Sequence, residues 1–161
     1  AEGVTYHIVR GDFHRHTELS GDGAGDGSLD DYFRYMIDAA QMDTGIIADH
    51  NAGGSEYSWW RTEKANDVFM IAGRFTPLFG YERSVNYPTG HRNVIFPRRG
   101  VRTLPIGGEE AKGQVNTGPI LYPYLKQNRG VCISHSLATG QGTDFRDNDP
   151  EGEPVVEIYQ G

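Results

Sequence analysis

The sequence predicts an α/β fold built on a largely parallel sheet or barrel, and three observations carry that prediction. Short apolar runs that read as buried strands alternate with segments of helical periodicity. Several of those runs end directly on residues that bind metals well. The chain has 161 residues, 37% hydrophobic and 23% charged, which suits one globular domain over residues 1–161 with a single real core.

The elements follow in order. Residues 8–14 read as the first strand, passing through Gly11-Asp12-Phe13 to His14. A Gly/Asp-rich loop occupies residues 20–27. Ser28 is suited to cap a helix, since its hydroxyl can accept from an unpaired N–H of the first turn, and Asp30 and Asp31 complement the helix dipole. Leu29, Phe33, Met36, Ile37 and Ala40 recur on one face of that helix, which runs to about Asp43. Gly45 then opens the apolar run Ile46-Ile47-Ala48, a buried parallel strand that finishes on Asp49-His50-Asn51.

Ser55 can cap a second helix through Tyr57, Trp59 and Trp60 to about Val68. These aromatics suit a core better than a substrate wall. Residues 75–85 read as one strand or two short ones around Tyr81-Glu82-Arg83, and residues 91–96 as another. Residues 100–118 lack periodicity and read as a long loop. Residues 120–128 make a short helix if Pro123 lies in its first turn. Gly130 leads into a buried strand at 131–134, and residues 155–159 make the last one.

Composition narrows the function. With 22 acidic and 15 basic residues the formal charge is −7, which argues against a nucleic-acid surface. It does not exclude a phosphorylated small molecule, because bound cations reverse the local sign. The single cysteine, Cys132, cannot form an internal disulfide and reads as a buried strand thiol. No apolar stretch approaches the roughly 20 residues of a membrane helix. A soluble protein of cytoplasm or periplasm, without membrane contact, is the expectation.

His14 and His16 carry the chemistry furthest. On extended backbone, residues two apart point to the same side, so both imidazoles can face one ion while Arg15 points away. Asp49-His50 and His135 also follow apolar runs, and Glu82 and His91 flank a turn. Active residues of α/β folds gather at the C-terminal ends of strands, so these groups can converge. A carboxylate such as Glu82 can bridge two cations and offset their repulsion. His7 lies ahead of the cluster and reads as an ordinary strand histidine.

These motifs resemble the PHP family, named for polymerases and histidinol phosphatases. The first is Gly11-Asp12-Phe13-His14-Arg15-His16-Thr17 with Ser20-Gly21-Asp22-Gly23 behind it. The others are Ile47-Ala48-Asp49-His50-Asn51, Gly80-Tyr81-Glu82-Arg83, Gly90-His91-Arg92-Asn93 and Ile133-Ser134-His135. The chain is most similar to the PHP-like group that ends this region in a V-E-I-Y-x-G pattern. The resemblance implies a distorted (β/α)7 barrel, incomplete in this chain, and two or three divalent ions such as Zn, Mn or Fe.

It further implies that His14, His16 and Glu82 hold one ion, that Glu82, His91 and His135 hold a second, and that His50 holds a third with Asp22 or Asp26. Asp12 and Asp49 would orient ligand histidines. The family's late D-x-H motif has no counterpart after His135, so the remaining part of the same protein, or another chain, is the expected partner that completes the site. The implied activity is hydrolysis of a phosphoester of a small molecule, with Arg83 and Arg92 as catalytic candidates for stabilising charge on the phosphoryl oxygens. Two alternatives stand beside it: hydrolysis of an amide or lactone, and a non-catalytic metal-binding domain.

Overall fold

A computed structural model describes residues 3–160. Strands β1 (Gly11–Arg15), β2 (Thr44–Ile47) and β3 (Thr76–Pro77) pair in parallel in the order β1-β2-β3. Helix α1 (Leu29–Arg34), continued by a π-type turn over Tyr35–Ala39, links the first two. Helix α2 (Glu56–Phe69) links β2 to β3. A second sheet takes the order β4-β5-β6-β7, from β4 (Phe79–Arg83), β5 (Arg92–Phe96), β6 (Val131–Ser134) and β7 (Val155–Val156).

The two sheets are continuous at their junction. Only Leu78 separates β3 from β4, its N–H donates to the Gly45 carbonyl, and His50 bridges Glu82 in parallel fashion. Within the second sheet β4–β5 and β5–β6 are antiparallel and β6–β7 is parallel. The expectation of a largely parallel sheet therefore needs a correction: β5 runs against its neighbours. The short connection 84–91 forces this, because a parallel partner requires a crossover of a dozen residues or more. The fold is mixed α/β, and among the described residues no ladder joins β1 to β7, so the sheet does not close into a barrel.

Packing explains the element boundaries. Ser28 caps α1 as expected: its hydroxyl accepts from the Asp31 N–H at 3.2 Å, and the Asp31 carboxylate returns to the Ser28 N–H at 3.0 Å. This helix stops before Asp43, because Gln41 adopts a left-handed conformation and the Met42 N–H folds back to the Met36 carbonyl. The first strand starts at Gly11, later than expected; the Arg10 carbonyl still accepts from the Asp43 and Thr44 N–H groups, but β2 begins at Thr44 and pairs nothing before that. Residues 4–10 lie outside the ladder, with Ile8 and His7 exposed. The last strand is shorter than residues 155–159, because β6 ends at Ser134, whose carbonyl accepts the Glu157 N–H.

Helix α4 (Gly118–Asn128) begins two residues before the expected start, because the Thr117 carbonyl already accepts from the Ile120 and Leu121 N–H groups. Pro119 fills the first turn and Pro123 falls in the second. The loop 100–118 contains one short helix, α3 (Gly108–Ala111).

Three apolar clusters hold the sheet. Phe33, Met36, Ile47 and Phe75 pack between α1, α2 and the first sheet. Tyr81, Val94, Phe96, Leu121, Leu125 and the buried thiol Cys132 pack between the second sheet and its helices. Ile46, Ala48 and Ile95 fill the opposite, inner face. Gly80 belongs to that face, where a Cβ would lie 2.7 Å from Ile46 Cδ1 and 2.9 Å from the Val94 carbonyl oxygen. No helix among the described residues is long and apolar enough to cross a membrane. Gly80→Ala is expected to destabilise the protein by about 1–3 kcal/mol through overpacking, read as a lower urea midpoint.

Candidate metal centre

The strand directions bring one end of β1, β2, β4, β6 and β7 to a common rim. The reversed β5 presents its start there, which places His91 beside the ends of the others. The rim gathers His14, His16, His50, His91 and His135 around one carboxylate, that of Glu82, which is only 1% exposed. Glu82 Oε2 lies 3.3 Å from His14 Nε2 and 3.2 Å from His16 Nε2. Glu82 Oε1 lies 3.1 Å from His50 Nδ1, 2.5 Å from His91 Nδ1 and 3.7 Å from His135 Nε2.

Local sequence positions each ring. The β1–β2 register breaks between Asp12 and Arg15, and the Asp12 carboxylate accepts the His14 N–H at 3.0 Å. Arg15 turns outward to Asp26 at 3.5 Å. Asp49, 1% exposed, accepts from the Thr17 N–H, the Thr17 hydroxyl and the Ser20 hydroxyl at 2.7, 2.6 and 2.7 Å. It thereby clamps the chain behind His16. The Gly/Asp loop lies flat on this segment because Gly23 has no side chain; a Cβ there would sit 2.4 Å from the Thr17 carbonyl oxygen.

That close approach sets Asp22, and not Asp26, beside the rings: Asp22 reaches His50 Nε2 at 2.7 Å and His16 Nδ1 at 3.5 Å. The inherited picture of Asp12 and Asp49 needs adjustment. Asp12 holds a backbone N–H, and Asp49 acts on His16 through Ser20, whose Oγ is 3.0 Å from His16 Nδ1.

Three overlapping groups in this rim are able to hold a metal ion: His14, His16 and Glu82; His16, Asp22 and His50; His50, Glu82 and His91. The first matches the expected set. His16 belongs to the first and second groups, His50 to the second and third and Glu82 to the first and third, while His135 stands further off. Two ligands 2.0–2.2 Å from a tetrahedral ion lie about 3.3–3.6 Å apart. The separations of Glu82 Oε2 from His14 and His16 fit that spacing, and the buried His135 Nε2 has no hydrogen-bond partner. The Asn93 amide, opposite Glu82 in the β4–β5 ladder, is also fully buried and unpartnered. Imidazole with carboxylate suits Zn, Fe or Mn.

The electrostatics are those of a carboxylate enclosed by bases. Burial alone would raise the Glu82 pKa, but hydrogen bonds from His14, His16, His50 and His91 outweigh it and hold the carboxyl far below the usual range. Hydrogen bonding to Glu82, partly offset by burial, raises His50 to about 9. Burial also opposes the charged form of His14, yet Glu82 and Glu157 leave its pKa raised. His135 is depressed to about 3, by burial first and then by the charge of His14.

Glu157 escaped the sequence reading. It follows β7, and its Oε2 lies 2.9 Å from His14 Nδ1, so a side chain spans the gap that no backbone ladder closes. Ser20 and Ser84 were missed as well. Ser84 Oγ meets His50 Nδ1 at 2.5 Å and donates to Glu82 Oε1 at 3.0 Å. A short polar residue among many others carries no signal until its neighbours are known.

Arg83 and Arg92 require the main correction. Each follows a ring-facing residue by one position, and strand alternation turns it to the opposite face. Arg83, 2% exposed, is paired with Glu110 and donates to the Pro105 carbonyl at 3.0 Å. Arg92, 1% exposed, pairs with Glu153 at 3.2 Å and lies over the Tyr122 ring. Both are structural ion pairs. A cleft of about 860 Å³, lined by Trp59, Trp60, Tyr81 and Tyr124 among others, likewise lies on the helix side of β4, and neither Glu82 nor any of the five histidines lines it.

A family model described as "Protein of unknown function (DUF3604)" matches residues 33–160. The chain belongs to that family. Its DUF3604 region covers the rim from His50 onward but begins after His14 and His16. The chain is also similar to the crystal structure of a two-domain protein from Bacteroides vulgatus, described as containing a predicted PHP-like metal-dependent phosphoesterase. Identity is 15% and the TM-score 0.44, with 78% of this chain and 34% of that one covered. This chain thus spans about a third of that protein's length. None of the curated proteins matches it.

Two outcomes follow. Arg92→Ala leaves Glu153 buried without its cation and is expected to cost about 3–5 kcal/mol in chemical denaturation while metal content per folded chain stays unchanged. The raised His50 pKa stabilises the metal-free fold in full below the ordinary value of 6.5, and that stabilisation is lost as pH rises through about 9. The thermal midpoint of chelator-treated protein is therefore expected to fall across that window, and to fall less in His50→Gln.

Proposed function

We propose that this chain carries the metal centre of a metal-dependent hydrolase acting on phosphoesters of small molecules. The observation that supports this reading is the single buried carboxylate, Glu82, ringed by five imidazoles with Asp22 at the open side. In this reading His14, His16 and Glu82 hold one divalent ion, Glu82, His91 and His135 a second, and His50 with Asp22 a third, so that each ring serves a single ion. A divalent ion bound there supplies Lewis acidity and lowers the pKa of water near it. Glu82 offsets the mutual repulsion of neighbouring cations. Asp49, through Thr17 and Ser20, keeps the His16 segment rigid, which preserves the spacing that a hydrolytic centre needs.

The resemblance of the histidine motifs to PHP proteins favours the phosphoester. The outward arginines favour a second reading, hydrolysis of an amide or lactone, since neither Arg83 nor Arg92 is placed to clamp a phosphoryl group. Elemental analysis of the protein as isolated, followed by panels of phosphomonoesters, phosphodiesters, amides and lactones with Mn, Zn or Fe, separates the two. The expected result is bound divalent metal and phosphoester turnover. Glu82→Ala and His14→Ala are expected to lose at least the roughly 100-fold that removal of an outer partner of a metal ligand can cost. Turnover unchanged in both variants would reject the assignment.

A further inference from the structure

The hydrogen bonds on the far side of the rings decide where their protons sit. Ser20 has one hydroxyl proton and two lone pairs. It donates that proton to Asp49 Oδ1 at 2.7 Å, and accepts the His50 backbone N–H at 3.2 Å. Its remaining contact, His16 Nδ1 at 3.0 Å, must therefore be an N–H donor. Ser84 spends its proton on Glu82 Oε1 at 3.0 Å, so His50 Nδ1 at 2.5 Å must also donate. The Glu157 carboxylate can only accept, so His14 Nδ1 at 2.9 Å donates to it.

In all three rings the neutral form then has its lone pair on Nε2. That lone pair points at Glu82 Oε2 from His14 and His16, at 3.3 and 3.2 Å, and at Asp22 Oδ2 from His50, at 2.7 Å. A lone pair facing a carboxylate oxygen is repulsive unless a cation lies between them. Each of the three contacts is therefore one that a metal ion shared between nitrogen and oxygen would satisfy.

We propose that Glu157, Ser20 and Ser84 are positioning residues that fix the Nδ1–H tautomer of His14, His16 and His50, committing each Nε2 to a cation. This rests on the metal-dependent reading above and adds to it the residues that orient the ligands. Ser20 serves two rings at once, holding His16 through Nδ1 and His50 through its backbone. Glu157 ties the first strand of the sheet to the segment after the last, so His14 is correctly aimed only when the two open edges meet.

The test is imidazole nitrogen NMR on the zinc-loaded chain, paired with zinc affinity by calorimetry. Wild-type protein is expected to show protonated Nδ1 and zinc-bound Nε2 on His14, His16 and His50. Glu157→Ala is expected to lose this pattern at His14 alone and to weaken zinc binding about 10–100-fold. Glu157→Gln, whose amide oxygen can accept the same hydrogen bond, is expected to recover most of both. Ser84→Ala is expected to produce the equivalent change at His50. Glu157 is 24% exposed, so its variants test orientation without opening a core, and circular dichroism checks the fold.

An Nε2–H tautomer at any of the three rings of the zinc-loaded wild type overturns the proposal. So does a Glu157→Ala protein with wild-type shifts and affinity. Either result leaves the metal centre standing. A wild-type chain that takes up no zinc, manganese or iron removes the metal reading and this inference with it.

Discussion

One buried charge organises this molecule. Glu82 sits on an interior strand at 1% exposure, and a carboxylate there is tolerable only with compensating donors or cations. Five histidines from four separate stretches of chain supply that compensation. Each lies where a strand ends or, for His91, where the reversed strand begins. The fold can be understood as the scaffold that delivers those four stretches to the carboxylate. The inner apolar cluster of Ile46, Ala48 and Ile95 forms the floor beneath it.

Strand direction does the delivering. Two strand–helix–strand units set β1, β2 and β3 in parallel, and β4 continues the third of these past Leu78. The turn into β5 reverses the chain over a few residues, which keeps His91 at the same rim as Glu82. The sheet then remains open, and side chains span what the backbone does not. His14 contacts Glu157 at 2.9 Å, and its ring lies 4.0 Å from that of His135. The open edges and the histidine rim are therefore one structural problem with one solution.

The same alternation that aims Glu82 inward sends Arg83 outward. Buried pairs such as Arg83–Glu110 and Arg92–Glu153 fix how α3, the loop before it and the segment ahead of β7 lie on the sheet. They leave the rim with imidazoles and carboxylates. With both arginines turned away, the proposed hydrolase reading draws on bound ions for positive charge, and in that reading metal content and substrate class are linked.

Much of the centre was legible in the residues. The spacing of His14 and His16, the run ending on Asp49-His50-Asn51, and the strand around Glu82 identify ligand types and their place at strand ends, because side-chain periodicity and the chemistry of imidazole are local properties. The capping of α1 by Ser28 and of α2 by Ser55 was equally local. Tertiary structure alone decided the rest. It reversed β5, chose Asp22 over Asp26 by laying Gly23 against Thr17, turned Arg83 and Arg92 to the far face, and recruited Ser20, Ser84 and Glu157 behind the rings. Those outcomes depend on which distant groups compete for a given proton, lone pair or patch of space, and that competition exists only once the chain has folded.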